Sequence, residues 1–176
     1  LLKRLRTCGD WLSWIAQGIC ADLRLSPRLQ SGWRIRAVDS SSISGPKSTG
    51  TDWRLHYSIN LSTLDCDWHE LTDVHGGEAL ARTPMAPGDL LLADRNYLTP
   101  TGLDAAVAAE AQVLIRLRWR HLAMSDPNGH PFFALNQAKR LKVGQIGDWP
   151  VDIQGAGGNR ITGRVIALRV PRVIAA

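Results

Sequence analysis

Hydrophobic and polar positions divide this chain into stretches of different period. Leu5, Trp11, Leu12, Ile15, Ile19 and Leu23 fall at helical spacings, which predicts an amphipathic helix with Lys3, Arg4 and Arg6 near its start and Ser26-Pro27 at its end. A short apolar run around Ile35 to Val38 predicts a strand that ends in Asp39, and a Ser/Gly/Pro/Thr-rich stretch from Ser40 to Thr51 predicts a loop. Residues 53 to 62 alternate. Trp53, Leu55, Tyr57 and Ile59 take one face, expected to be the buried one, and Arg54, His56, Ser58 and Asn60 take the other. Asp65-Cys66-Asp67 is expected to turn the chain, with Trp68 to Val74 returning as the antiparallel partner.

Gly76-Gly77 breaks that pattern, and a short helix is expected to start near Glu78. The run Gly88 to Tyr97, GDLLLADRNY, predicts a buried strand that delivers Asp94. Thr99 followed by Pro100 is a helix start, and the Ala-rich stretch behind it carries the helix to about Ala111. Val113, Ile115, Leu117 and Trp119 then alternate with Leu114, Arg116, Arg118 and Arg120, so three arginines are expected on one face of a strand. Asp126 to Pro131 reads as a loop, and 151–153 and 161–170 as short strands around a Gly-rich break. The order of elements favours an α/β fold, a mixed sheet with helices packed on it.

A chain of 176 residues with 44% hydrophobic residues can bury one core and part of a second. The formal charge of +5 hides an asymmetry: residues 1–36 carry +5, residues 37–110 carry −7 and residues 111–176 carry +7. A basic frame around an acidic centre fits a protein that grips a polyanion and chelates a metal, and it also fits ordinary solvated charge. Cys8, Cys20 and Cys66 have no CxxC spacing, so neither a disulfide framework nor a zinc site is supported, and a reducing cytoplasm is expected. The opening LLKRLR and the apolar stretch behind it mimic a signal peptide, but Asp10 and Gln17 interrupt them. No run approaches the roughly 18 to 20 apolar residues of a membrane span.

Two carboxylates thus end two apolar runs, Asp39 and, 55 residues later, Asp94. On parallel neighbouring strands they would stand side by side at the carboxyl ends, where open α/β sheets bind ligands. Paired carboxylates are hard oxygen donors suited to a divalent cation, and phosphodiester chemistry uses such cations. A lone Asp so placed is more often a strand-end residue capping a turn, and for two Asp, each ending an apolar run, the two readings weigh evenly. The arginine face of Arg116, Arg118 and Arg120 suits phosphate oxygens, against the alternative of a solvated edge. Gly45 to Gly50 lacks phosphate-loop spacing, the five histidines show no metal-ligand spacing, and no GxSxG elbow is present. Trp119 and Trp149 are the tryptophans singled out for base stacking; most of the seven are expected in the core or on a sheet face.

Three segments carry a family resemblance: RAVDSSSI around Asp39, WRLHYSINLST with WHELTDVHGGE behind it, and GDLLLADRNYLTPTGLDAAVAAEAQVLIRLR around Asp94. Over about half the chain these residues resemble the transposase domain of the insertion sequence four family, the cut-and-paste DDE enzymes. The resemblance implies a ribonuclease H-like fold in which the strands of Asp39 and Asp94 lie adjacent and parallel. It implies two Mg²⁺ or Mn²⁺ ions between the two catalytic carboxylates, and DNA, both element ends and target, as the partner of a dimer. Arg95 and Tyr97 match the family pattern and are expected to contact DNA, or else to pack beside Asp94.

The family's third acid, a Glu in a Tyr-x2-Arg-x3-Glu helix, has no counterpart, since no Glu follows Glu110 and no Tyr follows Tyr97. Truncation before that helix is the expected reason, and a decayed copy the other. The expected division is a helical segment over 1–33, the catalytic core over 34–120 and part of a β-rich insertion over 121–176. Two rivals stay open: a DNA-binding remnant without catalysis, and a ribonuclease H-like nuclease or resolvase whose third acid is Asp126, Asp148 or Asp152. Glu78 is expected only to start a helix.

Overall fold

A computed structural model of the chain describes residues 32–118 and 122–171. The expected N-terminal helix, Trp119 and Arg120 lie outside the described residues. Strands β1 (Arg34–Ile43), β2 (Trp53–Asn60) and β3 (Asp65–Asp73) form an antiparallel meander. After a 3-10 turn at Leu80–Arg82, β4 (Asp89–Ala93) returns to the free side of β1 and pairs with it in parallel. A second 3-10 turn (Arg95–Tyr97) and helix α1 (Pro100–Ala108) follow, and β5 (Gln112–Ile115) pairs in parallel with β4. The sheet order is β3-β2-β1-β4-β5, a mixed sheet within an α/β fold. Parallel neighbours need a crossover, and α1 supplies the one from β4 to β5.

Helix α1 starts where the sequence signals it. The Thr99 hydroxyl accepts the Gly102 N–H at 3.1 Å and Pro100 takes the first turn. Gly102 is needed for packing: a Cβ there would sit 3.1 Å from the Cβ of Leu80. This close approach seats α1 on the Leu80 turn over a core of Val38, Leu80, Leu91, Tyr97 and Ala106. Fully buried side chains such as Leu80 and Leu91 each contribute on the order of 1.5–3 kcal/mol.

Several expectations change. β1 does not stop at Asp39 but runs on to Ile43, because β2 keeps pairing with it as far as Ile43 opposite Trp53. No helix starts near Glu78; only the three-residue turn at Leu80 follows. The faces of β2 are inverted: His56 and Ser58 are buried, while Trp53 is 44% exposed. The polar face is buried because its groups satisfy one another. The side chain of Arg36, 3% exposed, donates to Ser58 Oγ at 2.6 Å and pairs with Asp67 at 2.8 Å and Asp89 at 3.3 Å. His56 Nε2 lies 3.1 Å from Thr72 Oγ1. Alternation alone reports two faces and does not say which is covered.

A second sheet, β6-β7-β8, is antiparallel: β6 (Met124–Ser125), β7 (Ile146–Gln154) and β8 (Arg160–Leu168), with helix α2 (Ala134–Arg140) between the first two. β6 and α2 carry too few residues to show a period. The sheet shares a core with α1, in which Leu103 packs with Met124, Phe132, Val151 and Ile161. Val113 and Ile115 of β5 pack against both cores. Asp104 of α1 ties down the β7–β8 loop, accepting the Ala156 N–H at 2.8 Å and the Asn159 side-chain N–H at 2.9 Å. Among the described residues no helix is long and apolar enough to cross a membrane.

Candidate functional site

Asp39 and Asp94 meet because β1 and β4 run in parallel in one register. Arg34 lies opposite Asp89, and the pairing continues residue by residue to Val38 opposite Ala93. Asp39 is the next residue within β1, and Asp94 is the first residue past β4. At that point the strands diverge in fate: β1 continues along β2, while β4 ends and turns into the Arg95–Tyr97 turn. Both aspartates are exposed.

Each carboxylate is oriented by its own backbone. Asp39 Oδ1 accepts the N–H of Ser40 at 2.8 Å, and Asp94 Oδ1 accepts the N–H of Arg95 as the cap of the 3-10 turn. Among the described residues, neither second oxygen accepts a hydrogen bond or joins an ion pair. The two acids therefore present one free carboxylate oxygen each, a hard donor pair of the kind a divalent cation takes along with waters. No group of three His, Cys, Asp or Glu residues able to hold a metal occurs among the described residues.

Beneath the carboxylates lies a polar layer. Ser40 Oγ donates to Glu78 Oε1 at 2.8 Å, and Glu78 also pairs with Arg54 at 3.3 Å. Tyr97 is 1% exposed, and its hydroxyl lies against Ser40 without a hydrogen bond of normal geometry. Burial, and next the negative charges of Glu78 and Asp39, push the phenol up to about 12, against the lowering pull of Ser40.

The expected DNA-contacting residues are distributed unevenly. Arg95 is exposed directly after Asp94. Tyr97 is in the core and offers no surface to DNA, so the packing role weighed for it is the one its burial allows. β5 ends at Ile115, so Arg116 and Arg118 lie beyond the strand and not on it, though the exposed and half-buried positions still alternate to Arg118. The Arg116 N–H still reaches Ala93 O at 3.3 Å, which keeps that segment beside the end of β4. Arg120 lies outside the described residues.

The acids weighed as alternative third ligands are engaged elsewhere. Asp148 pairs with Arg164 and Asp152 with Arg160 on the second sheet, while Asp126 accepts the backbone N–H groups of Asn128 and His130. Trp149 is half-buried and packs on Phe132, ring centroids 6.1 Å apart, at the margin of the second core. Sequence reasoning missed Glu78 as the partner of Ser40, the residue next to Asp39, and Arg54 as the partner of Glu78. The signal was the one-residue step from Asp39 to a serine on the inward face, which period alone does not rank.

At the opposite end of β1 and β4, Asp89 is 1% exposed. It accepts from Arg34 at 2.8 Å and from the Ala86 N–H at 3.0 Å. Burial alone would push its carboxyl up, but the Arg34 hydrogen bond, the Ala86 amide and the charges of Arg34 and Arg36 hold it below the usual range. The sheet therefore has a neutralised structural end and an unneutralised carboxylate end. Only the second has coordinating capacity to spare.

No family model matches the chain. Over 97% of its length the chain is 32% identical to transposase InsL for insertion sequence element IS186A of Escherichia coli, and equally to its IS186B counterpart. It is also 32% identical to the transposase for insertion sequence element IS421 of Escherichia coli. The chain is similar to insertion sequence transposases. It spans about half the length of the curated relatives it matches, 48% of the first two and 47% of the third.

Proposed function

We propose that the chain carries two acids of a DDE transposase active site, Asp39 and Asp94, on a ribonuclease H-like core of the insertion sequence four type. The observation that carries this reading is the register of β1 and β4, which makes the two aspartates successive to the last paired residues of parallel neighbours. The similarity to insertion sequence transposases along nearly the whole chain supports the same reading.

The donor set fits Mg²⁺ or Mn²⁺: two carboxylates, each with one oxygen committed to an amide and one free. Asp39 and Asp94 would hold the cation through those free oxygens. A divalent cation so bound supplies activation of a water or 3′-hydroxyl nucleophile and stabilisation of the leaving oxygen. The Ser40 and Arg95 amides orient the carboxylates, and Arg95, Arg116 and Arg118 grip backbone phosphates beside them. The second sheet is then part of a β-rich insertion. In the whole protein this site cuts DNA at element ends and joins them to target DNA, as a dimer on DNA.

The test is DNA affinity with and without Mn²⁺. Binding by the chain is expected to be salt-dependent, and Mn²⁺ is expected to strengthen it only when both acids are present, with Asp39→Asn and Asp94→Asn losing the enhancement. Little strand cleavage is expected, since two acids hold metal weakly. Affinity indifferent to Mn²⁺ in all three proteins would favour a DNA-binding protein without catalysis. Robust nicking that survives Asp94→Ala would contradict the proposed site.

A further inference from the structure

Tyr97 carries a hydroxyl that is buried and has no hydrogen-bond partner, which is uncommon because such a group forfeits about 1–3 kcal/mol of solvation. It sits in a layer with three other polar side chains. Ser40 Oγ donates to Glu78 at 2.8 Å, and Glu78 is paired with Arg54 at 3.3 Å, so the hydroxyl oxygen of Ser40 has its own proton committed and its lone pairs open. Ser40 is also the residue whose N–H fixes Asp39 Oδ1 at 2.8 Å. These groups come from four separate places in the chain: β1, β2, the turn before Leu80 and the turn after Asp94.

The stretch of β1 they surround needs support. From Arg36 to Val38 the strand is held on both sides, by β2 and β4; from Asp39 onward it is held by β2 alone. A carboxylate at that step has freedom on the side where β4 has ended. The Ser40 side chain points to the face that bears Val38 and Arg36, and there Glu78 and Tyr97 meet it.

We infer that Glu78 and Tyr97, acting through Ser40, are positioning residues for Asp39. The Tyr97 O–H is a donor poised for the open lone pair of Ser40, the Ser40 O–H is committed to Glu78, and Arg54 anchors Glu78 from β2. The chain of donors ends on a carboxylate already neutralised by an arginine, so it orders Ser40 without adding charge to the Asp39 site. Glu78 is not a ligand in this scheme; it holds the residue whose amide aims the ligand. This rests on the proposed divalent-cation role of Asp39.

The experiment is a Mn²⁺ titration of the whole chain followed by electron paramagnetic resonance, with thermal unfolding of every variant as a control. Tyr97→Phe and Ser40→Ala keep the packing volume and are expected to weaken Mn²⁺ binding by about three- to tenfold, because an unaimed ligand must be ordered on binding. Glu78→Gln still accepts from Ser40 and is expected to stay within about twofold of the parent, whereas Glu78→Ala falls with Ser40→Ala. A merely structural role would instead lower the unfolding temperature and leave the affinity of the folded protein unchanged. Parent-like affinity in Tyr97→Phe, Ser40→Ala and Glu78→Ala, with binding abolished in Asp39→Asn, would overturn the positioning role and leave the metal site standing. Mn²⁺ binding untouched by Asp39→Asn would overturn both.

Discussion

Asp39 and Asp94 are the first residues past the last paired step of two parallel strands, one step beyond Val38 and Ala93. Two carboxylates so placed repel one another, and no described cation pairs with either. Sites of this kind trade stability for ligand capacity. Replacing either acid by Asn keeps an oxygen able to accept the Ser40 or Arg95 amide and removes the repulsion. Asp39→Asn is therefore expected to raise Tm by about 2 °C in metal-free buffer, read by thermal unfolding, and to abolish any stabilisation of the parent by Mn²⁺.

Arg36 joins three strands through Ser58, Asp67 and Asp89, and it is 3% exposed. Removing it takes the arginine from Asp67 and leaves the buried Asp89 with Arg34 and the Ala86 amide as its partners. Arg36→Met is expected to cost about 3 kcal/mol of stability, measured by urea unfolding, because the partly buried Asp67 loses its arginine while Asp89 keeps Arg34. Arg164→Met, whose partner Asp148 is on an exposed face, should change stability little.

His56 and Asp89 set the pH response of the first sheet. Burial, then the charge of Arg82, lowers the His56 pKa, so the unfolded chain takes up a proton that the folded chain resists. Stability is then expected to fall as pH drops below about 6.5. Asp89 is also held below its usual value, so its contribution is present above the unfolded pKa and is lost as pH falls below about 4. Unfolding free energy against pH should show two declines on the acid side, and His56→Gln should remove the upper one alone.

Asp104 is the polar tie between α1 and the β7–β8 loop, accepting from Ala156 and Asn159. Asp104→Ala is expected to cost about 1 kcal/mol. Hydrogen exchange should speed up at Ala156 to Asn159 and stay unchanged in β1 and β4, since the apolar core around Leu103 still joins the second sheet to α1.

The parts of this fold legible in the sequence are those in which local chemistry has one solution. Thr99-Pro100 starts a helix, the apolar run before Asp94 is a buried strand, and the 53–73 stretch is an antiparallel hairpin, although its turn falls at 61–64 and the expected turn residues Asp65 and Cys66 are already paired in β3. Asp39 and Asp94 stood out because each ends an apolar run abruptly in an acid. What stayed hidden depended on partners distant in sequence. Which face of β2 is buried depends on Arg36, Asp67 and Asp89, and the extension of β1 to Ile43 depends on β2. Glu78 read as a helix start because nothing local shows that Ser40, 38 residues away, is its partner.

The most direct test of the paired-carboxylate site uses the two amides that hold the acids. In a nuclear magnetic resonance titration of the chain with Mn²⁺, the Ser40 and Arg95 resonances are expected to broaden together at substoichiometric metal with one midpoint, and neither should broaden in Asp39→Asn or Asp94→Asn. Broadening of one amide without the other, or broadening that persists in both variants, would contradict a cation shared between Asp39 and Asp94.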